Sequence, residues 1–151
     1  MPLVLDLLRH GHALPAENGD DSGRRLSPRG RADLERLGGH LKQIGWRPDR
    51  VFTSPVSRAR ESALAILRGA ALDAEPVPME ALLPDSPPEA VLSALAEAGA
   101  LDGHLFLVGH QPLMGLLAGF LIGGAPPGFP AGCLQRIEFA GSLAPGAGVA
   151  G

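Results

Sequence analysis

Residues 3–11 of the chain read LVLDLLRHG. The first six of these residues form an apolar run that one aspartate interrupts. A short apolar run that ends close to a glycine is typical of a buried parallel strand. In open α/β sheets, the residues that follow such a strand reach the crevice where ligands bind. We therefore expect Arg9 and His10 to lie at a ligand site.

The two side chains at this strand end suit phosphate chemistry. Arg9 carries a planar guanidinium, which donates two parallel hydrogen bonds to phosphate oxygens and stays charged at any working pH. A neutral imidazole beside it, that of His10, can attack phosphorus. The stretch therefore predicts a phosphoryl-transfer site.

Two later apolar segments end in residues of the same kind. Residues 51–59 read VFTSPVSRA and contain Arg58, and residues 105–110 read LFLVGH and end on His110. Ser-Pro within the first segment predicts a helix that begins at residue 55, with Arg58 in a first turn whose backbone N–H groups and dipole favour an anion. Because parallel strands end at one edge of a sheet, we expect both side chains to meet the first pair there.

Taken in this order, the three motifs resemble those of the histidine phosphatase superfamily, also called the phosphoglycerate mutase-like superfamily. That family has Arg-His-Gly after the first strand, Ser-Pro-x-x-Arg-Ala at the start of a helix, and a late Gly-His. The resemblance covers residues 3–140. The short length of the chain is similar to that of the compact SixA-type branch of phosphohistidine phosphatases.

The resemblance implies a metal-independent phosphatase that uses no cofactor and forms a phosphohistidine intermediate on His10, which water then hydrolyses. Arg9 and Arg58 are expected to bind the phosphoryl oxygens, and His110 to donate a hydrogen bond to the same group while cationic. The expected substrate is phosphohistidine on a partner protein, because so short a chain has few residues with which to build a lid over the site.

The general acid is the role that the sequence defines least. Larger family members place a glutamate between the second and third motifs, and Glu80 is the nearest counterpart here. Asp85 is the competing choice, and an ordinary solvated loop residue is an equally good interpretation of Glu80. A site with little help from an acid favours a phosphoramidate, whose leaving imidazole can already carry a proton, over an alkoxide leaving group.

Two more side chains are candidates for a substrate-contacting rim. His12 would share a face with His10 on an extended chain, which also allows a metal-site interpretation. We favour the rim, because no cysteine cluster or nearby acidic residue has ligand spacing. Arg25 belongs to the predicted surface loop at residues 13–26, which can cover the site, and either Arg25 or Arg24 is expected to meet the phosphate or the partner.

Strands and helices are predicted to alternate along the chain. His40 lies on a predicted helix and His104 on a predicted strand, and both are interpreted as structural residues. This order predicts an α/β fold, a three-layer α/β/α sandwich with a mostly parallel central sheet and right-handed crossovers, which is the phosphoglycerate mutase-like architecture that the resemblance implies. The predicted strands lie at 3–8, 50–53, 75–78 (an edge strand), 104–109 and 133–140, and the predicted helices begin at 28, 55, 87 and 112.

Length and composition indicate a globular protein. The 151 residues fit one domain, at 1–140, followed by a Gly-, Ala- and Pro-rich tail at 141–151 that we expect to be poorly ordered. Hydrophobic residues make up 45% and charged residues 19%, without an apolar run long enough for a membrane span. The lack of a secretory signal and the single cysteine, Cys133, favour a cytoplasmic location. A net charge of -3 argues against a nucleic-acid partner.

Three other functions stay open at the level of sequence. The first is a small-molecule phosphomonoesterase or mutase of the same superfamily, and the second is a non-catalytic phosphate-recognition module. The third is a metalloprotein that uses His10, His12 and His110. The physiological substrate and the oligomeric state are not encoded in any of these patterns.

Overall fold

The structure is a computed structural model that describes residues 3–15 and 24–151. No helix within these two ranges is long and apolar enough to cross a lipid bilayer. The elements in chain order are β1 (Leu3–Arg9), α1 (Pro28–Gln43), β2 (Arg50–Thr53), α2 (Ser57–Gly69), β3 (Val77–Pro78), a 3₁₀ helix (Glu80–Leu82), α3 (Pro88–Glu97), β4 (Gly103–Gly109), α4 (Leu113–Ile122), β5 (Leu134–Phe139) and β6 (Val149–Ala150).

The strands form one sheet in the order β3-β2-β4-β1-β5-β6. The first four strands of that order run parallel to one another, whereas β5 is antiparallel to β1 and β6 is antiparallel to β5. Helices α1 and α2 cover one face of the sheet, and α3 and α4 cover the other. The structure thus confirms the predicted three-layer sandwich with a mostly parallel sheet. Since β1 lies inside the sheet, its carboxyl end opens at the middle of one sheet edge.

Strand β1 is buried on both faces because its side chains alternate between two cores. Leu3, Leu5 and Leu7 pack into the core beneath α3 and α4, whereas Leu8 packs into the core beneath α1 and α2. All four side chains are buried. A strand enclosed in this way shows a continuous apolar run instead of strict alternation, which explains why the sequence signal at residues 3–8 is so strong.

Helices α1 and α2 approach each other closely through two glycines. A Cβ atom on Gly69 would lie 2.0 Å from the carbonyl oxygen of Glu35, and one on Gly38 would lie 2.2 Å from the carbonyl oxygen of Ile66. The backbones therefore touch where any side chain would separate them. This contact holds α2 in a defined position, with its first turn at the carboxyl edge of the sheet.

The aspartate that interrupts the first apolar run has a buried set of partners. The Asp6 carboxylate is fully buried and accepts hydrogen bonds from Trp46 Nε1 at 2.7 Å and from Arg136 Nε and Nη2 at 2.9 and 3.0 Å. The His104 ring also contacts this carboxylate. Burial by itself raises the pKa of Asp6, but the hydrogen bonds from His104, Arg136 and Trp46 outweigh it and lower that pKa to about 2.

We expect Asp6→Asn to destabilise the fold by about 2 to 3 kcal/mol, because Arg136 loses its carboxylate while it stays partly shielded from water. Denaturant unfolding at neutral pH measures this loss, and the exposed Asp33→Asn is the matched control, with a change within about 0.5 kcal/mol. Since the pKa of Asp6 is lowered, its contribution is lost as the pH falls, and the difference between wild type and variant should shrink toward pH 2. Equal stability of wild type and Asp6→Asn would show that the Asp6 carboxylate does not stabilise the fold.

The predicted starts of three helices were wrong. Helix α4, predicted to begin at residue 112, begins at Leu113 with Pro112 as its N-cap. Helix α2 begins at Ser57 with Val56 as its N-cap, and helix α3 begins at Pro88 with Pro87 as its N-cap, each without a side-chain capping bond. The residue before a proline is held in the extended region, so Pro87, which precedes Pro88, cannot be the first helical residue. Pro87 is therefore the N-cap, and Ser86 lies one residue too early to cap the helix. At α1 the same kind of signal was correct, because the Ser27 hydroxyl accepts the N–H of Gly30.

The two ends of the fold add structure that the sequence pattern does not predict. Strand β6 lies in the Gly-, Ala- and Pro-rich tail and pairs Val149 with Glu138 of β5. A backbone ladder needs no particular side chains, so composition gives no sign of it. Near the start, Ala13 and Leu26 form an antiparallel bridge at the base of the predicted loop, and residues 16–23 of that loop lie outside the described residues.

Candidate active site

The two central histidines lie side by side at the carboxyl edge of the sheet. Strands β1 and β4 are neighbours, and their last residues, Arg9 and Gly109, are register partners. His10 and His110 follow directly, with ring centroids 5.1 Å apart, and both rings are buried. Residues one hundred positions apart in the chain are thus brought together by the pairing of two strands.

Hydrogen bonding assigns the protons of the His10 ring. Its Nδ1 lies 2.8 Å from the carbonyl oxygen of Gly11. A carbonyl oxygen can only accept, so Nδ1 carries the proton and donates it. In the neutral ring the lone pair is then on Nε2, which accepts a hydrogen bond from Arg58 Nε at 3.4 Å. The unprotonated nitrogen of His10 therefore faces a cation.

Burial lowers the pKa of His10 from 6.5 to about 4, and the positive charges of Arg58, Arg9 and Arg24 act in the same direction. The hydrogen bond to Gly11 opposes these effects without reversing them. At neutral pH the ring is consequently neutral, and its Nε2 is available as a nucleophile.

An NMR titration of the His10 ring should show a midpoint near pH 4, because both burial and neighbouring charge disfavour the imidazolium. Because the pKa of His10 is lowered, the ring is neutral and nucleophilic above its titration midpoint. This neutral form is lost as the pH falls through about 4. The spectrum of His10→Gln identifies the resonance. A midpoint at or above 6.5 would contradict this electrostatic description of the site.

Arg9 is held by the segment that leads into β5. Its Nη1 donates to the carbonyl oxygen of Phe129 at 3.1 Å, and Gly132 N–H lies 3.0 Å from the Arg9 carbonyl and 3.1 Å from that of His10. Its buried Nε has no hydrogen-bond partner among the described residues. A buried guanidinium N–H without a partner costs free energy that a bound anion would recover. This donor therefore suits a phosphate oxygen.

Arg58 is the second residue of α2 and is buried beside the His10 ring. Its position is set by Ser62, whose fully buried hydroxyl donates to the Arg58 carbonyl at 2.7 Å and accepts the N–H of Gly11 at 3.0 Å. Gly11 in turn accepts the proton of His10. One hydroxyl thus joins the nucleophile segment to the helix that carries Arg58.

We expect Ser62→Ala to cost about 1 to 3 kcal/mol of stability, because the Gly11 N–H is then buried without an acceptor. We also expect a lower kcat well below the melting temperature, since His10 and Arg58 lose their common anchor. Ser62→Thr keeps the hydroxyl and should recover part of kcat. The exposed Ser57, on the same helix, provides the control Ser57→Ala, and an unchanged kcat in Ser62→Ala would show that the bridge does not position the site.

His110 is oriented by a second buried hydroxyl. Its Nε2 lies 2.7 Å from Ser54 Oγ, and Ser54 is fully buried. The sequence predicts Ser54 as a helix cap, but its hydroxyl instead contacts His110 and accepts the N–H of Val56 at 3.2 Å. The Ser54 hydroxyl therefore orients His110 and also binds the N-cap residue of α2.

Comparison with known proteins establishes the family. A model described as "Histidine phosphatase superfamily (branch 1)" matches residues 5–82. The chain belongs to the histidine phosphatase superfamily. An uncharacterized protein of Picosynechococcus is 35% identical over 115 residues, which are 75% of this chain and 69% of the relative.

Solved structures agree with the fold of this histidine phosphatase. A SixA protein of Agrobacterium tumefaciens, named as a candidate phosphohistidine phosphatase, is 28% identical with a TM-score of 0.79, over 96% of this chain and 99% of that one. The histidine phosphatase SixA complexed with tungstate is 24% identical with a TM-score of 0.81, over 98% and 94% of the two chains. A phosphoglycerate mutase of Bacillus anthracis is 15% identical with a TM-score of 0.77, over 99% and 92%.

Of the two loop arginines, Arg24 is the one whose charge acts on His10 in this histidine phosphatase. Arg25, which the sequence analysis placed at the rim, donates to Glu61 at 2.8 to 3.1 Å. Arg24 is half-buried and its Nε donates to the carbonyl oxygen of Leu14 at 2.9 Å, whereas Arg25 is exposed. A contact of Arg25 with substrate stays a prediction.

His12 of the phosphatase is exposed, and its Nδ1 lies 2.7 Å from Ser27 Oγ at the start of α1. It therefore contacts the helix cap. Among the residues that the structure describes, no group of three His, Cys, Asp or Glu side chains is arranged to hold a metal ion.

The candidate acid of the phosphatase, Glu80, lies at the carboxyl edge of the sheet but is exposed to solvent. Met79 N–H donates to the Thr53 carbonyl at 2.8 Å, which places the following Glu80 beside the end of β2. Glu80 and the alternative Asp85 are both exposed. Glu80 as general acid stays a prediction.

Proposed function

We propose that this phosphatase removes phosphate from phosphohistidine on a partner protein and that His10 carries the phosphoryl group between substrate and water. One observation supports the proposal above all others. The Nε2 of His10 is unprotonated at neutral pH and accepts a hydrogen bond from Arg58, and the positive charges of Arg9 and Arg24 also act on this ring. The relative from Agrobacterium tumefaciens, named as a candidate phosphohistidine phosphatase, agrees with it.

In the first step, His10 Nε2 forms a bond to phosphorus as the bond from phosphorus to the substrate imidazole breaks. Negative charge spreads over the equatorial oxygens, and the guanidinium groups of Arg9, Arg24 and Arg58 stabilise it. The phosphorylated His10 ring is cationic, because Nδ1 keeps its proton. The carbonyl of Gly11 accepts that proton in a hydrogen bond and so stabilises the intermediate.

In the second step, water attacks phosphorus and the bond to His10 Nε2 breaks. The leaving ring takes back its electron pair as a neutral imidazole with its proton on Nδ1, so this departure needs no general acid. His110, oriented by Ser54, lies beside the same ring and supplies a further polar contact for the phosphoryl group. Inorganic phosphate is released and the starting enzyme is restored.

The choice of phosphohistidine over a phosphate ester follows from the leaving group. An imidazole leaves without a donated proton when its other nitrogen is protonated, whereas an alkoxide needs an acid positioned beside it. Here the candidate acid Glu80 is exposed and lies outside the buried cluster around His10. The substrate with the better leaving group therefore gains most at this site.

The test compares three synthetic substrates: a phosphohistidine peptide, the corresponding phosphoserine peptide and a small phosphomonoester. We expect kcat/KM for the phosphohistidine peptide to exceed the values for the other two substrates by about a hundredfold or more. A general acid contributes a rate factor of that size, and the two phosphate esters would lack it here. Comparable values for the phosphohistidine and phosphoserine peptides would overturn the assigned substrate. A clear preference for the small phosphomonoester would favour a phosphomonoesterase.

A further inference from the structure

Charge is distributed unevenly along the chain, although the formal net charge is only -3. Residues 24–68 contain eleven arginines and lysines against four acidic residues, whereas residues 69–135 contain seven acidic residues and neither arginine nor lysine. The first segment includes α1 and α2, on one face of the sheet, and the second includes α3, on the other. All seven acidic side chains of the second segment are exposed. We call the face of α1 and α2 the positive face, because these two helices carry seven arginines and lysines against three acidic residues, whereas the charged residues of α3 are Glu89 and Glu97.

The positive face contains a cleft of about 300 Å³, which we call the arginine cleft. Three arginines from three different segments line it: Arg25 before α1, Arg31 on α1 and Arg68 near the end of α2. Glu61 and Leu64 complete its wall. The cleft thus spans the junction between the two helices.

Each guanidinium group of this cleft pairs with a carboxylate, Arg25 and Arg31 with Glu61 at 2.8 and 3.8 Å and Arg68 with Glu35 at 3.5 Å, but the guanidinium groups are the more exposed partners. The side chains of Arg25, Arg31 and Arg68 are 64%, 47% and 67% exposed, whereas that of Glu61 is 15% exposed. The Glu61 carboxylate is occupied by Arg25 at 2.8 Å and by the backbone N–H of Leu26 at 3.1 Å. Exposed ion pairs of this type are weak, so the guanidinium groups can also bind carboxylates of another molecule.

Two stretches of the chain connect the arginine cleft to the site around His10. Helix α2 carries Arg58 near its start, Glu61 about one turn later and Arg68 about 15 Å further along the axis than Arg58. At the other end of the cleft, Arg25 is adjacent to Arg24, whose charge acts on His10. A chain bound at His10 would therefore reach the cleft within about three to five extended residues.

We infer that the arginine cleft is a docking surface for an acidic segment of the phosphorylated partner, an inference that rests on the proposed function. The exposed arginines of the cleft, Arg25, Arg31 and Arg68, lie on this side of the site. On the opposite side, the exposed Glu80, Asp85 and Glu89 repel the same acidic segment. Attraction on one side and repulsion on the other orient the partner and accelerate its encounter with the site.

The experiment uses the full-length protein and two phosphohistidine peptides of equal length. One peptide carries a cluster of glutamates about three to five residues from the phosphohistidine, and the other has glutamines at those positions. We expect the wild-type enzyme to show a KM about tenfold lower for the acidic peptide in low salt, with little difference in about 0.5 M salt. Arg31→Glu combined with Arg68→Glu should abolish this preference and leave kcat unchanged.

Arg36→Glu combined with Arg47→Glu is the matched control, because it changes the net charge equally at exposed positions that do not line the cleft. This variant should keep the preference. Loss of the preference in both double variants would show a general field effect and overturn the cleft as the docking surface, as would equal KM values for the two peptides with wild type.

Small phosphoramidate, a substrate too short to reach the cleft, separates this inference from the proposed function. Its hydrolysis should be the same in wild type and in both double variants, which also shows that they are folded. If the charge reversals prevent folding, the milder double variant Arg31→Gln and Arg68→Gln replaces them. It should reduce the KM preference for the acidic peptide at least twofold. If wild type hydrolyses neither phosphoramidate nor the phosphohistidine peptides, the proposed function itself fails.

Discussion

His10→Ala is expected to lose turnover by a factor on the order of 10⁴ or more, together with all covalent phosphoenzyme. The variant lacks the one ring nitrogen whose lone pair faces Arg58. His110 cannot replace it, although the two rings are only 5.1 Å apart, because Ser54 holds the Nε2 of His110 at 2.7 Å. The remaining cationic groups can still bind phosphate. We therefore expect binding of inorganic phosphate to survive while chemistry is lost.

The measurement is rapid denaturation of the enzyme during turnover of a radiolabelled phosphohistidine peptide. Phosphate bound to a histidine nitrogen should be released by acid and should survive alkali, and it should be absent from His10→Ala. The matched control is His40→Ala, which removes an exposed histidine from α1. Undiminished label in His10→Ala, or label that resists acid, would contradict His10 as the phosphoryl carrier.

Arg58→Ala should lower kcat/KM by about 30- to 1000-fold, which corresponds to about 2 to 4 kcal/mol of transition-state stabilisation. The guanidinium is buried next to the nucleophile, so water cannot take its place fully. Arg58→Lys should recover only part of the loss, because an ammonium group cannot donate two parallel hydrogen bonds. Removal of the Arg58 charge should also raise the pKa of His10, although burial still keeps it low.

Steady-state kinetics on the phosphohistidine peptide, with an NMR titration of His10, test both parts of this prediction. The control is Arg60→Ala, two residues further along the same helix. Arg60 points away and pairs with Glu75 at 2.9 Å, so its loss should change kcat/KM less than about threefold. Similar losses in Arg58→Ala and Arg60→Ala would mean that charge in general, and not the position of Arg58, supports the reaction.

Local sequence rules predicted most elements correctly, and their errors have a local cause. Apolar runs located β1, β2 and β4, and the Ser-Pro signal located the start of α1. The same signal was wrong at α2, where the Ser54 hydroxyl contacts His110 and the N–H of Val56, and the helix begins two residues after Pro55. In sequence, a serine whose hydroxyl caps a helix cannot be distinguished from one whose hydroxyl binds a distant side chain.

The sequence also placed Arg9, His10, Arg58 and His110 after strands, and the structure brings these four together at one sheet edge. It did not reveal Ser62, a hydroxyl on the face of α2 that also buries Arg58 and several apolar residues. It left Arg24 and Arg25 as alternatives, because two adjacent arginines in a loop look alike in sequence, and the rim role of Arg25 stays a prediction. The acid and rim roles of Glu80 and His12 stay predictions.

By itself, the sequence determined the class of fold and the chemistry of the strand ends, because apolar runs, prolines and glycines act within a few residues of where they occur. Only the tertiary structure decided how those ends become a site. The bond from Ser62 to Gly11 joins residues 51 positions apart, and the bond from Arg9 to Phe129 joins residues 120 positions apart. Such contacts depend on strand order and helix packing, since neighbours in space leave no spacing pattern along the chain.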